Sequence, residues 1–170
     1  MLVRHAKSDY PPATRDHDRP LAERGRRDAP EIGRWLDQHV EVPHELAPVA
    51  LVSTAKRTQQ TWALAAGELG DRWSGVVQAD EPRVYEASTD ALRRLVAEVP
   101  DEVRLLLLVG HNPGLHGFVA YAADPGSAFY DDAVARFPTS AVAVLTTDRS
   151  WADTAHGAAF DVTAFTIPRG

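Results

Sequence analysis

The order of apolar runs and amphipathic stretches predicts an α/β fold in three layers, a mostly parallel central sheet with helices on both faces. Three observations carry this. Strand-like and helix-like segments alternate along the chain, as repeated strand–helix–strand units do. The run Val103-Arg104-Leu105-Leu106-Leu107-Leu108-Val109 is almost unbroken apolar sequence, which is how a central strand covered on both faces reads. Several short apolar runs end in a polar cluster followed by a helix pattern, and open α/β sheets take their ligands at that C-terminal strand edge.

Taken in order, Met1-Leu2-Val3 reads as a strand, short against a mean of about five to six residues, so a residue or two missing from the front is expected. It hands Arg4 and His5 to the strand edge. Residues 9–20, rich in Asp, Pro and Arg, read as an irregular loop lying over that edge. Over residues 21–39, Ala22, Ala29, Ile32 and Leu36 begin a series, closed by Val40, at intervals of three, four or seven, which predicts an amphipathic helix. Pro30 lies inside it, and a proline removes a backbone donor and crowds the preceding turn, so a kink or two helical pieces are expected. Residues 43–48 form a connection. Val49-Ala50-Leu51-Val52 suits a buried strand, and Ser53 or Thr54 is the expected helix cap. The helix behind it turns Trp62, Ala65, Ala66 and Leu69 inward, carries Arg57 in its first turn and stops near Gly70.

Val76-Val77-Gln78-Ala79 is a weak third strand, followed by the acidic, irregular segment that contains Glu86. Ser88 or Thr89 caps the next helix, in which Leu92, Leu95, Val96 and Val99 keep helical spacing until Pro100 stops it. The 103–109 run then forms the sheet centre and delivers Gly110-His111-Asn112-Pro113-Gly114 before a helix over about 115–123. Residues 124–138 are loop with a helical turn or two at 132–136. Two late strands, 141–147 and 161–167, lie close enough in sequence to form an antiparallel edge pair, joined by a polar segment around Trp151 and His156.

At 170 residues the chain is expected to fold as one domain, residues 1–170, burying about two thirds of its unfolded surface. It has no cysteine, which excludes disulfides, zinc–thiolate sites and a cysteine nucleophile. The formal charge of −6 argues against a nucleic-acid partner, which calls for a basic field. No apolar run is long enough to span a bilayer, and no basic segment followed by an apolar one opens the chain. The expectation is a cytoplasmic protein with no membrane partner.

The strand ends deliver Arg4 with His5, then Arg57, then His111. Any one of these alone reads as a turn or surface residue. Together, on neighbouring strands, they make two guanidiniums and two imidazoles converge in a protein of negative overall charge. A dianionic phosphoryl group is the natural occupant, since guanidiniums hold it by paired hydrogen bonds and an imidazole is a competent nucleophile. The remaining histidines, His17, His39, His44, His116 and His156, show no metal-site spacing, and no metal or cofactor is expected. Trp35, Trp62, Trp73 and Trp151 read as core or rim packing.

Leu2-Val3-Arg4-His5-Ala6-Lys7-Ser8, Asp18-Arg19-Pro20-Leu21 with Arg24-Gly25, the stretch 53–61, Val109-Gly110-His111-Asn112-Pro113 and Phe137-Pro138-Thr139-Ser140-Ala141 run in one order. In that order the chain resembles the histidine phosphatase superfamily, with its phosphoglycerate mutase-like fold, and most closely the short SixA-type branch of phosphohistidine phosphatases. The resemblance implies that His5 attacks phosphorus and carries the phosphoryl group, that Arg4, Arg57 and His111 hold its equatorial oxygens, and that water then hydrolyses the intermediate. For attack the nucleophile must be neutral, so one ring nitrogen of His5 should be held as N–H by a backbone carbonyl. Lys7, Ser8 and Asn112 are expected to line the pocket. Glu86 is the candidate proton donor; a phosphoramidate leaving group needs that proton less than an alkoxide does.

These readings converge on a metal-independent phosphatase acting on a phosphohistidine protein or a small phosphorylated molecule. Two alternatives stand beside it. One is a phosphate-recognising module without turnover, against which the presence of His5 speaks, because a binder needs no nucleophile. The other is a phosphoglycerate-type mutase, for which the chain lacks long insertions that could retain an intermediate.

Overall fold

The structure is a computed structural model that describes residues 1–42 and 47–170; of the expected connection at 43–48, residues 43–46, His44 included, lie outside the described residues. One six-stranded sheet runs through it, with β1 (Leu2–Arg4), β2 (Val49–Val52), β3 (Val77–Asp80), β4 (Leu106–Gly110), β5 (Val142–Thr146) and β6 (Asp161–Thr166) in the order β3-β2-β4-β1-β5-β6. The pairs β3·β2, β2·β4 and β4·β1 are parallel, whereas β5 lies antiparallel to both β1 and β6. The apolar run thus lands at the sheet centre, though only its second half is strand. All of β4 is buried.

Side chains of a strand alternate between faces, and β4 shows what each face meets. Leu107 and Val109 join Val3, Ala50 and Val52 under α1 (Glu23–His39) and α2 (Lys56–Ala66), whose Ile32, Leu36, Trp62 and Ala65 complete that core. Leu106 and Leu108 join Leu2 and Ala143 under α3 (Thr89–Ala97) and α4 (Gly114–Ala122), with Ala133 of α5 (Tyr130–Ala135). Two apolar faces of one sheet covered by separate helix layers make the three-layer α/β architecture. No helix among the described residues is long and apolar enough to cross a membrane.

Three local expectations are corrected. Helix α1 passes through Pro30 without interruption; packing of its apolar stripe against the sheet outweighs the one lost backbone hydrogen bond. Neither Ser53 nor Thr54 caps α2, because Ala55 holds the extended N-cap conformation with no side-chain cap. Helix α2 closes at Ala66, short of Gly70. By contrast, Ser88 does cap α3, its hydroxyl accepting from the Ala91 amide at 3.1 Å.

Register fixes where the chain leaves the sheet. Val3 and Val52 both pair with Val109, and Arg4 with Gly110. The ladder then runs one step further, with the His5 amide donating to the Gly110 carbonyl at 3.1 Å and the Ser53 amide to Val109 at 3.0 Å. His5, Ser53 and His111 therefore emerge at one level on one edge.

Candidate active site

At that edge lies a cavity of about 640 Å³ lined by Arg4, His5, Lys7, Ser8, Arg57, Glu86, His111 and Asn112 together with Tyr10, Asp16 and Arg19. Every residue singled out in the sequence thus reaches one cavity. They do not present themselves equally. His5, Arg57 and His111 are buried, Lys7 and Glu86 are exposed, and the buried Ser8 hydroxyl accepts from Arg19 Nη2 at 2.7 Å.

His5 leaves β1 with its ring already oriented. Its Nδ1 lies 2.7 Å from the Ala6 carbonyl, and a carbonyl only accepts, so Nδ1 carries the proton and Nε2 keeps its lone pair. Burial pushes the imidazole down to about 3, opposed by the Ala6 hydrogen bond and reinforced by the charges of Arg57, Arg4 and Arg19. The ring is neutral at any ordinary pH. The Ala6 amide in turn donates to Thr61 Oγ1 at 3.0 Å, which donates to the Arg57 carbonyl at 2.7 Å. Strand end and helix α2 are thereby tied together.

Behind His5, Gly25 of α1 touches the same segment: a Cβ there would stand 2.1 Å from the Lys7 carbonyl oxygen. Only glycine permits that approach. This gives Gly25 a structural reason to stand beside the loop.

Arg4 donates from Nη1 to the Phe137 carbonyl at 2.7 Å, and Asn112 Nδ2 reaches the same oxygen at 2.8 Å. Ser140, at φ 66° and fully buried, sends its amide to the His5 carbonyl at 3.1 Å. The Phe137–Ala141 motif is therefore the wall that holds Arg4 and His5 from the β5 side. Burial first, then the neighbouring Arg57, pushes the Arg4 guanidinium down from its ordinary value. Arg4 Nε and Asn112 Oδ1 are buried without a hydrogen-bond partner.

His111 faces His5 with ring centroids 5.1 Å apart. Burial pushes it down to about 3, with His5 and Arg57 acting the same way and Asp16 opposing them. Its Nε2 lies 2.8 Å from Ser53 Oγ.

Glu86 sits at φ 51°, a left-handed conformation that costs a non-glycine residue of order 1 kcal/mol or more. Its neighbour Ala87 packs on the start of α4, where a Cβ on Gly114 would meet the Ala87 carbonyl at 2.2 Å. The loop is seated, and its carboxylate reaches the cavity rim.

Asp16, Arg19 and Tyr85 were not foreseen as site residues. Arg57 donates from Nη1 to the Asp16 carbonyl at 2.6 Å and from Nη2 to its carboxylate at 3.0 Å, Tyr85 donates to the same carboxylate at 2.9 Å, and Arg19 at 2.7 Å. Burial raises the Asp16 carboxyl, yet the hydrogen bonds from Arg19, Tyr85 and Arg57 together hold it far below the usual carboxylate range. The 9–20 loop is thus ordered by ion pairing over the strand edge. In the sequence the one signal is Asp18-Arg19-Pro20-Leu21, which places the loop without assigning the side chains.

The arrangement offers an unprotonated imidazole nitrogen, two guanidiniums and a second imidazole around one space, which suits capture and transfer of a phosphoryl group. Among the described residues no group of three or more His, Cys, Asp or Glu could hold a metal ion.

A model of the histidine phosphatase superfamily (branch 1) matches residues 1–86. An uncharacterised protein of Mycobacterium tuberculosis is 37% identical over 172 residues, covering 98% of this chain and 100% of the relative. A solved candidate phosphohistidine phosphatase SixA from Nakamurella multipartitia is 32% identical with a TM-score of 0.78, the match covering 98% of this chain and 95% of that one. Its counterpart from Agrobacterium tumefaciens is 28% identical with a TM-score of 0.76, covering 98% and 96%.

Proposed function

Because the chain belongs to the histidine phosphatase superfamily, in its SixA-type branch, we propose that it is a phosphatase whose own His5 takes the phosphoryl group before water does. The observation that carries this reading is the His5–Ala6 hydrogen bond at 2.7 Å. It leaves Nε2 as a buried, unprotonated nucleophile surrounded by cationic side chains.

In the first step Nε2 attacks phosphorus while the bond to the leaving group breaks. The phosphoimidazole keeps its Nδ1 proton on the Ala6 carbonyl, which stabilises the positive character the ring acquires. Arg4, Arg57 and His111 donate to the non-bridging oxygens, where charge concentrates in a loose transition state, so positioned donors supply most of the acceleration. Glu86 gives its proton to a leaving oxygen. In the second step water attacks the phosphohistidine, its proton passing to the Glu86 carboxylate, while the P–N bond breaks and His5 departs neutral. The substrate is a phosphohistidine protein or a small phosphorylated molecule, with the branch favouring the former. Arginines in place of a carboxylate cage make the reaction one that needs no metal.

The test is a brief exposure to substrate followed by denaturation. An acid-labile, base-stable phosphate on His5, absent together with turnover in His5→Ala, is the expected result; full activity in that variant sinks the mechanism. Running phosphohistidine protein, sugar phosphates and nucleotides side by side then ranks the substrates.

A further inference from the structure

Ser53 is fully buried and follows directly on β2, and its hydroxyl lies 2.8 Å from the Nε2 of His111 as the partner of that nitrogen. A hydroxyl and a ring nitrogen can share a proton in either direction, and the direction decides what His111 shows the cavity. The serine oxygen already receives an N–H, from Ala55 at 3.4 Å. Among the described residues the hydroxyl proton has one acceptor, and that acceptor is Nε2. Were Nε2 the donor instead, the hydroxyl hydrogen would be buried with nothing to accept it, a costly state. With Nε2 accepting, the neutral ring carries its proton on Nδ1. That nitrogen is buried and has no partner.

We propose that Ser53 is a positioning residue that locks His111 in the Nδ1–H tautomer, so that a phosphoryl oxygen meets a hydrogen-bond donor rather than a lone pair. The proposal rests on the phosphoryl site assigned above. It also gives both imidazoles the same tautomer for opposite purposes. Nδ1–H of His5 is tied to Ala6 to free a nucleophilic Nε2, while Nε2 of His111 is tied to Ser53 to free a donating Nδ1. Free histidine favours the other tautomer, so each ring needs its partner. The two strands in register, Val52 beside Val109, bring Ser53 level with Gly110, one residue before His111, within reach of its ring.

The direct readout is nitrogen-15 NMR at pH 7 on protein labelled in histidine, where two-bond proton–nitrogen couplings separate the two tautomers. Signals are assigned by their loss in His5→Asn and His111→Gln. In the wild type His111 should appear as Nδ1–H. In Ser53→Ala it should shift towards Nε2–H while His5 keeps its pattern, and phosphorylation of His5 should slow by about 10- to 100-fold, the usual loss when an outer partner that orients a ring is removed. Ser53→Thr, which keeps the hydroxyl, should restore the wild-type tautomer and most of the rate. A wild-type His111 in the Nε2–H form overturns the proposal, as does an unchanged tautomer in Ser53→Ala. If Ser53→Thr fails to fold by thermal melting, the wild-type and alanine spectra decide. Failure of the phosphatase reading looks different: His5 takes no label from any substrate, and the spectra are unaffected.

Discussion

Both terminal nitrogens of Arg57 are engaged by Asp16, one at its carbonyl and the other at its carboxylate, 2.6 and 3.0 Å away. An incoming phosphoryl group therefore meets a guanidinium already held in place, with its remaining N–H groups available. Arg57→Ala removes those donors, each worth roughly 1.5–3 kcal/mol to a charged partner, so turnover should fall by about two to four decades. Arg57→Lys should rescue poorly, since an ammonium cannot both hold Asp16 and reach the phosphate in a planar fork. Wild-type turnover in the lysine variant would rule the clamp out.

The same pair predicts a compensation. In Arg57→Ala the Asp16 carboxylate stays in the cavity and repels the substrate anion. Adding Asp16→Asn should recover several-fold in kcat/KM, in line with the ~1 kcal/mol between unit charges about 4 Å apart in water. A double variant no better than Arg57→Ala alone would mean that Asp16 exerts no field on the phosphoryl position.

Gly25→Ala tests the backing of the nucleophile. Its methyl group would stand 2.1 Å from the Lys7 oxygen, so either α1 or the His5–Ser8 segment must move. Overpacking of this kind costs about 1–3 kcal/mol, and the melting temperature should drop with turnover. Unchanged values of both would show that the contact is slack.

Glu86→Gln separates substrate classes. An ester oxygen needs a proton as it leaves, whereas a phosphohistidine nitrogen can depart already protonated, so single-turnover ester cleavage should slow by about 10² or more and phosphohistidine cleavage much less. Equal slowing of both removes Glu86 as the leaving-group acid. No slowing of either would move the search to Asp80 and Glu81.

Acid should destabilise the fold through its two neutral imidazoles. His5 and His111 are pushed from the ordinary 6.5 down to about 3, so between those values the unfolded chain binds protons that the folded one refuses. Stability is then fully present above about pH 6.5 and falls as pH drops towards 3, with a slope of up to about 1.4 kcal/mol per pH unit for each ring. Urea melts across that window should show a shallower dependence in His5→Asn than in the wild type; identical slopes would mean the His5 ring is not held neutral.

What the sequence made legible was whatever local pattern controls. The apolar run 103–109, whose second half lies in the central strand 106–110, the amphipathic spacing of 21–39 and the positions of Arg4, His5 and His111 after apolar runs all follow from burial on a sheet. Asp16 and Tyr85 escaped because their meeting with Arg57 depends on two loops closing over a third segment, and no periodicity encodes that. Ser53 and Thr54 both look like caps because such residues before a helix so often are; Ala55 takes that place, and the Ser53 hydroxyl is left for His111. Pro30 misled in the opposite direction, through a local cost that the buried face of α1 outweighs.

The strand order has a consequence for synthesis. Strand β1, the first made, is flanked in the sheet by β4 and β5, which lie more than a hundred residues later in the chain. On the ribosome β1 must wait for its first sheet partner until residue 110 has emerged, and for its second until residue 146. Non-local pairing of this kind is slow and leaves apolar edges open meanwhile. A nascent chain that stops before Phe137 lacks the segment that braces Arg4 and His5, so the nucleophile is set in place late in folding.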